Sequence, residues 1–259
     1  MTPALSAVLI VKDEAENIDA CLRSVAFADE IIVIDSGSSD DTVERARRYT
    51  EQVYNHADWH GYGIQRQRAQ GYATGDWVLM IDADERVTPE LQGAIRAAVK
   101  ANDQGRVYAL SRLSFCFGRF IRHGGWYPDW VERLFPREWA AYDDALVHER
   151  LQIPADMVCD RLKGDLLHYT YRDLEHYLVK SAGYATAWAR VRQKRGQRGS
   201  LAAGIGHGLA CFLRMFVVRL GFLDGRQGLL LALLSGHSTF AKYADLWVRQ
   251  QPDANDVSP

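Results

Sequence analysis

Residues 75–85 read GDWVLMIDADE, an apolar run that passes directly into three acidic side chains. A short apolar run bounded by polar residues predicts a buried β-strand. Asp82 and Asp84 lie two positions apart, so their side chains point to the same side of an extended chain. Clustered carboxylates repel one another unless a cation or hydrogen-bond donors compensate, and this spacing suits a divalent metal shared with phosphate oxygens. A D-x-D string is also compatible with a solvated turn whose acids cap the next helix.

Two earlier strings repeat the arrangement of an apolar run followed by polar residues. SAVLIV (6–11) precedes KDEAEN, and EIIVID (30–35) precedes the small polar loop SGSSDDT. Helical patterns separate these runs, and a further one over residues 89–101 begins with proline. The alternation predicts an α/β fold with a mostly parallel sheet, covered by helices on both faces and binding its ligand at the strands' carboxyl ends. Asp35 could therefore accept hydrogen bonds from a base or ribose, or form a turn with Ser36.

The composition excludes several classes of protein. The 259 residues are 47% hydrophobic and 25% charged, which is typical of a globular protein and excludes a disordered, collagen-like or coiled-coil chain. The four cysteines lie far apart, which argues against a disulfide framework or thiolate zinc site and fits a reducing compartment. No G-x-G-x-x-G follows the first apolar run, so a nicotinamide dehydrogenase is disfavoured.

Charge is distributed unevenly along the chain. Residues 1–160 carry 17 Lys and Arg against 26 Asp and Glu, a net of −9, whereas residues 161–226 carry 12 against 4, a net of +8. The basic part contains RVRQKRGQR (190–198), and the apolar runs 209–223 and 229–234 follow it. Each run is shorter than the roughly 20 residues that a spanning helix needs. The combination predicts a helical element in the interface of an anionic membrane rather than a nucleic-acid-binding surface. The alternative is an apolar hairpin packed on the rest of the protein or across a dimer.

These patterns divide the chain into three predicted regions. An α/β domain occupies residues 1–180, and a basic and apolar helical extension, associated with the membrane interface, occupies residues 181–250. The final residues, 251–259, are polar and predicted to be disordered.

The combined motifs resemble those of a known enzyme family. The order strand–KDEAEN–helix, strand–DSGSSDDT–helix and strand–DADE resembles the family 2 glycosyltransferases, which have the GT-A fold. Downstream segments resemble a subgroup, the lipopolysaccharide-core β-glycosyltransferases of bacterial inner membranes: GGWYPDWVERLFPR (124–137), LVHERL (146–151), GDLLHYTYRDLEHYLVK (164–180) and FLDGRQGLLLALLS (222–235). The resemblance covers nearly the whole chain and implies a GT-A-type, Rossmann-like sheet with a membrane-associating C-terminal extension.

The resemblance implies donor-binding roles for six residues: Glu14, Asp35, Arg66, Asp82, Asp84 and Arg133. Glu14 and Asp35 would contact the nucleoside of the donor. Asp84, with Asp82, would bring the diphosphate and a Mg²⁺ or Mn²⁺ ion together. Arg133 would meet the diphosphate, although a salt bridge to a nearby acid would explain it equally well.

The resemblance also implies a catalytic base. Inversion by direct displacement needs a carboxylate to take the proton of the acceptor hydroxyl. Many relatives use a Glu-Asp pair, which this chain lacks, and the subgroup's His-Glu corresponds to His148-Glu149. Glu149 is therefore the implied base, with Asp129 and Glu132 as alternatives. His168 could ligate or support the site, or be purely structural.

The implied function is the metal-dependent, inverting transfer of a sugar, expected to be a hexose, from a nucleotide sugar such as a UDP-sugar. The acceptor would be a lipopolysaccharide-core or related glycolipid. The alternatives are transfer to a polyprenyl phosphate and a non-catalytic nucleotide-sugar-binding scaffold. A lipid-linked oligosaccharide acceptor would place the protein in the cytoplasm, peripheral on the inner face of the bacterial inner membrane, with no nucleic-acid partner.

Overall fold

The computed structural model describes residues 2–145 and 149–251. The strands are β1 Leu5–Val11, β2 Glu30–Asp35, β3 Val53–Asn55, β4 Trp77–Asp82, β5 Glu85–Val87, β6 Arg106–Cys116, β7 Arg119–Phe120, β8 Asp129–Pro136, β9 Ala141–Tyr142, β10 Leu151–Gln152 and β11 Val158–Tyr171. The α-helices are α1 Ile18–Ser24, α2 Thr42–Ala46, α3 Tyr62–Tyr72, α4 Pro89–Ala101, α5 Leu174–Lys194, α6 Leu201–Leu213 and α7 Gly225–Val248. A π-helical turn (Arg214–Val218) continues α6, and a 3₁₀ turn (Gly221–Asp224) precedes α7.

The chain forms two compact units whose boundary differs from the predicted one at residue 180. The first unit contains the chain up to Leu113 together with Pro128–His168, and the second contains Ser114–Tyr127 and the chain from Tyr169 onward. The second unit includes Ser114–Tyr127 because hydrogen bonds tie this segment to the turn before α7; for example, Gly124 N–H donates to the Arg219 carbonyl at 2.8 Å. Apart from Gln251, the predicted disordered tail lies outside the described residues.

The sheet is mixed, which corrects the prediction that it is mostly parallel. The strand order is β3-β2-β1-β4-β8-β6-β11-β5. The first four strands pair in parallel, whereas β8 is antiparallel to both β4 and β6, and β11 is antiparallel to β5. A parallel connection needs a crossover, usually a helix, and no helix lies between β6 and β8. The predicted α/β class is confirmed.

Helices cover both faces of the sheet in the first unit, as predicted. Alternate residues of the central strands point to opposite faces. Leu9 and Leu79 belong to one apolar cluster, which includes side chains of α1 and α4. Val8 and Met80 belong to the other, which includes Ala69 of α3.

The register of the parallel strands brings the three polar strings to one edge of the sheet. Val11, the last residue of β1, pairs with Asp35 at the end of β2. On the other side of β1, Ile10 pairs with Asp82 at the end of β4. KDEAEN, SGSSDDT and DADE therefore begin side by side at the carboxyl ends of the three strands, because the strands run in the same direction.

The helical hairpin of the second unit is packed through glycines. A Cβ atom on Gly208 of α6 would lie 2.9 Å from the carbonyl oxygen of Gly236 in α7, and a Cβ on Gly236 would lie 3.0 Å from that of Gly208. Among the described residues, Leu201–Val218 is the one helical stretch long and apolar enough to cross a membrane, by length and composition. The apolar run 209–223 predicts no such stretch, because it has only 15 residues, whereas the helix begins at Leu201.

Candidate active site

Asp82, the first acid of the D-x-D string, lies between two arginines. Arg66 Nη2 donates to Asp82 Oδ1 at 2.7 Å, and Arg133 Nη2 donates to Asp82 Oδ2. Both arginines are buried. The two carboxylate oxygens are thus engaged by separate guanidinium groups. The metal-ligand role that the sequence predicts for Asp82 stays a prediction.

Glu85 supports this arrangement from a fully buried position. Its Oε1 accepts from Arg133 Nη2 at 3.1 Å, and its Oε2 accepts from the Asp82 backbone N–H at 2.9 Å. Arg133 reaches both acids from an irregularity in β8, where the register with β6 changes from Tyr108–Leu134 to Ala109–Glu132. Such bulges re-aim side chains next to functional sites.

Opposing effects set the protonation of the two acids. Burial alone would raise the pKa of Asp82, but the attraction of Arg133 and Arg66, together with their hydrogen bonds, holds that pKa well below its usual range. Burial raises the pKa of Glu85; Arg133 opposes the rise and the nearby charge of Asp82 adds to it. Asp82 is therefore the charged partner of the two arginines, while Glu85 is the acid that binds a proton more readily than in water.

Asp84, the second acid of the string, has a different neighbour. Its Oδ2 lies 3.4 Å from His168 Nε2, and both side chains are partly exposed. Antiparallel pairing of β11 with β5 creates this contact, because His168 pairs with Glu85, the residue after Asp84. Among the described residues, no three His, Cys, Asp or Glu side chains group as a metal site.

The two principal candidates for the base each contact an arginine of the site. Glu149 Oε1 accepts from Arg66 Nε at 2.8 Å. Asp129 Oδ2 accepts from Arg112 Nε at 2.9 Å, and Arg112 also lies 3.8 Å from Glu85. The third candidate, Glu132, is exposed, and His148 lies outside the described residues.

The donor-nucleoside candidates make local hydrogen bonds at the same edge of the sheet. Asp35 is buried, and its carboxylate accepts from the backbone N–H groups of Gly37 and Ser38 at 3.1 Å, which is the turn that the sequence left as an alternative. Glu14 Oε2 accepts from Asn17 Nδ2 at 2.9 Å. Both residues lie at the edge of the sheet that holds the D-x-D string. Each carboxylate accepts hydrogen bonds from residues of its own loop.

Sequence reasoning missed two residues of the site. Arg112 lies on β6 opposite Asp129, and only the β6–β8 register reveals it. The Tyr142 ring lies under the Arg66 guanidinium, 5.2 Å from its carbon, and Gln67 Nε2 donates to the Tyr142 carbonyl at 2.7 Å. No local sequence signal distinguishes either residue from an ordinary strand position.

Buried arginines and acids thus lie together at the carboxyl end of β4. The part of the sequence that contains them also matches a protein-family model. The model described as "Glycosyl transferase family 2" matches residues 6–149. The chain belongs to this family. The match contains the D-x-D string, Arg66, Arg133 and Glu149.

Relatives and solved structures agree with this assignment. The family 2 chain is 28% identical to the "Uncharacterized glycosyltransferase RP128" of Rickettsia prowazekii, over 95% of this chain and 89% of the relative. It is 26% identical to the "Lipopolysaccharide core biosynthesis glycosyltransferase LpsC" of Rhizobium meliloti, over 98% and 97%. The solved mannosyltransferase PcManGT from Pyrobaculum calidifontis, in complex with GDP-Man and Mn²⁺, has a TM-score of 0.53 at 14% identity, over 96% of this chain and 89% of that one. The fold is therefore that of the GT-A glycosyltransferases.

Proposed function

We propose that this family 2 enzyme is a metal-dependent, inverting hexosyltransferase that uses a UDP-sugar and a lipopolysaccharide-core or related glycolipid acceptor. The observation that carries the proposal is that the two acids of the D-x-D string have different neighbours. Asp82 is bound by Arg66 and Arg133, whereas Asp84 lies beside His168 with both side chains accessible. The likeness to LpsC over almost the whole length of both chains supports the acceptor class.

Asp84 and His168 are the residues that would hold the cation. A carboxylate oxygen suits Mg²⁺ and Mn²⁺, and the imidazole nitrogen favours Mn²⁺, because Mg²⁺ prefers all-oxygen, octahedral surroundings. A bound ion would neutralise charge on the departing nucleoside diphosphate. We assign Asp82 to the positioning of Arg66 and Arg133, which differs from the metal-ligand role that the sequence predicts for it.

The two buried arginines would supply fixed positive charge to the diphosphate. Within the described residues, Arg66 Nη1 and Arg133 Nε are buried and have no hydrogen-bond partner. Unpaired buried donors are costly, and a phosphate oxygen is an acceptor that would satisfy them. Preorganised donors of this kind stabilise charge that develops on a leaving group. Glu14 and Asp35 would bind the nucleoside.

Glu149 is the proposed catalytic base, and Asp129 is the alternative. Arg66 binds Glu149 through Oε1, which fixes the carboxylate while Oε2 would take the proton of the acceptor hydroxyl. Loss of turnover in Glu149→Gln, with turnover retained in Asp129→Asn, is the expected result. The reverse result would assign the base to Asp129.

Donor hydrolysis and transfer by the purified protein test the proposal. We expect hydrolysis of a UDP-hexose, rather than a GDP- or dTDP-sugar, that needs Mn²⁺ or Mg²⁺ and accelerates with a lipid-linked core oligosaccharide. Transfer to a polyprenyl phosphate instead, with a tolerated Glu149→Gln, would overturn the acceptor and the base together. Binding without turnover of any donor would indicate a scaffold.

The acceptor also determines the expected location. A lipid-linked oligosaccharide lies at a membrane surface, so the proposed enzyme is cytoplasmic and peripheral on the inner face of the bacterial inner membrane. The excess of basic residues over 161–226, a net of +8, supports attraction to an anionic leaflet.

A further inference from the structure

Helix α6 and the π turn that continues it have an inverted arrangement of side chains. Their buried residues are Gly204 and Gly208, and the π turn has none. Large apolar side chains point away from the protein along one stripe with a spacing of four residues, which we call the outer face of α6: Leu201, Ile205, Leu209, Leu213 and Val217, all exposed. A helix that packs on a protein core in water buries its apolar stripe instead.

The glycines explain how α6 is held without burying its own leucines. Gly208 packs against Gly236, and a Cβ atom on Gly204 would lie 3.0 Å from Cβ of Tyr243. Close backbone approach through small residues, spaced Gly-x-x-x-Gly, is the way helices associate where apolar side chains gain nothing by facing one another. The packing of the hairpin is thus adapted to apolar surroundings on the outer face of α6.

The turn between α6 and α7 is also apolar where turns are normally polar. Val218, Leu220, Phe222 and Leu223 are all exposed. Leu220 has a φ of 56°, a left-handed conformation that is unfavourable for a branched apolar residue and is usually given to Gly or Asn. The turn therefore leaves apolar surface exposed, including a leucine at a position that usually belongs to Gly or Asn.

Basic residues flank the outer face at both of its ends. Lys194, Arg195 and Arg198 precede α6. After it, Ser114–Tyr127 and residues 214–226 together contain five arginines and a single acid, Asp224. Asp224 is buried, and its Oδ2 accepts from the His123 backbone N–H at 2.7 Å, so it holds the segment in place rather than presenting negative charge.

We infer that the outer face of α6 and the apolar turn after it dock on an anionic phospholipid membrane, with the helix lying in the plane of the interface. The stripe from Leu201 to Val217 extends over about 24 Å at the usual rise per residue. In-plane binding immerses the stripe and leaves the basic groups at both ends level with lipid phosphates. This docking surface adds a membrane contact to the proposed function. It rests on that function only in so far as the acceptor is bound to a membrane.

Charge argues against a second copy of the chain as the occupant. An antiparallel two-fold contact between α6 helices would bring the basic segment before one helix against the arginines after the other. A parallel contact would bring each basic end against its own copy. Like charges would meet in both cases, which is unfavourable in an interface, whereas an anionic lipid surface complements both ends.

Flotation with vesicles of phosphatidylcholine, with and without about one-third phosphatidylglycerol, tests the inference on the full-length protein. We expect wild-type protein to float with the anionic vesicles. Leu209→Glu/Leu213→Glu, at positions 60% and 53% exposed, should bind at least about tenfold more weakly, because two apolar side chains no longer leave water. Arg214→Gln/Arg226→Gln should reduce the preference for anionic vesicles. Trp139→Glu, at an equally exposed site of the first unit (59%), is the matched control and should float like wild type.

Two results would overturn the inference: wild-type protein that stays at the bottom with both vesicles, and a leucine double variant that floats like wild type. If that variant also converts a wild-type dimer to monomer, the occupant of the outer face is a second copy of the chain. Leu209→Ser/Leu213→Ser replaces the glutamate pair if that pair fails to fold. Hydrolysis of UDP-hexose without lipid is measured in parallel. Flotation without hydrolysis would retain this inference and overturn the proposed function, and hydrolysis without flotation would do the reverse.

Discussion

The two units differ in what they bury: the first buries charged side chains, and the second buries glycines while its leucines are exposed. In the first, Arg66, Arg133 and Glu85 are buried around the end of β4, where the charged groups neutralise one another. In the second, glycines are buried between α6 and α7, and the leucines of α6 are exposed. Burying charge is costly unless it is paired, and exposing a stripe of leucines to water is unfavourable. Each exception indicates what the unit binds, which we propose is a diphosphate for the first and a lipid surface for the second.

The largest expected effect is a loss of turnover on substitution of Asp84, compared with substitution of a surface acid outside the site. Asp84→Asn should lower kcat by about 10³-fold, since loss of one group that stabilises the leaving group costs 10²–10³ and a bound cation would be weakened too. Initial rates of donor hydrolysis at saturating Mn²⁺ measure this. Asp58→Asn removes an exposed carboxylate that pairs with Arg68 and should leave the rate unchanged; equal losses in both variants would contradict the assignment.

The second prediction concerns the stability of the buried network. Arg133→Met leaves Asp82 and Glu85 without their shared cation and should lower the free energy of unfolding by about 3–5 kcal/mol. Arg48→Met removes an exposed pair with Glu44 and should change it by less than about 0.5 kcal/mol. Urea unfolding at neutral pH compares them. Similar midpoints for the two variants would show that the buried pairs contribute little.

The third prediction tests the glycine packing of the second unit. Gly208→Val should destabilise the hairpin by about 1–3 kcal/mol, because the added atoms overlap with the backbone of α7. Gly206→Val is the matched control: the same substitution is made in the same helix, where a Cβ meets nothing within 4 Å. Thermal unfolding followed by circular dichroism would show the difference, and equal melting temperatures would refute close packing at Gly208.

The smallest expected effect is a dependence on pH. The pKa of Asp82 is lower in the folded protein than its usual value of 3.8, so its ionised form contributes stability above that value, and this contribution is lost as the pH falls toward the folded pKa. Asp82→Asn should therefore destabilise the protein by a constant amount from about pH 7 to 5, and by progressively less below about pH 4. A difference that instead grows on acidification would reverse the assigned direction.

The regular part of the first unit could be predicted from the sequence, and its irregular part could not. Apolar runs separated by helical patterns located β1, β2, β4 and α4, and strand direction alone brought Asp35 and Asp82 to one edge. Arg133 reaches Asp82 through an irregularity in β8, and His168 reaches Asp84 through the pairing of β11 with β5. Both contacts join residues about 50 or more positions apart, and no local pattern encodes such a register.

The second unit shows a different limit of sequence reasoning. Composition predicts a basic and apolar helical region over residues 181–250, but glycines interrupt its apolar runs, so the sequence does not show where an individual helix begins. In the structure Gly204 and Gly208 lie inside α6 and face α7. Glycine lowers helix propensity, so only the packing partner, Gly236, explains why the helix continues through them.

We propose that the two acids of the D-x-D string have different roles: Asp84 binds a cation, and Asp82 positions two arginines. Calorimetric titration of UDP into wild-type, Asp84→Asn and Asp82→Asn proteins, with Mn²⁺ and with EDTA, tests this proposal most directly. We expect wild-type protein to bind UDP tightly only with Mn²⁺, and Asp84→Asn to abolish the Mn²⁺ dependence. Asp82→Asn should weaken UDP binding but keep its Mn²⁺ dependence. Mn²⁺-independent UDP binding by wild type, or loss of the Mn²⁺ dependence in Asp82→Asn alone, would contradict the proposal.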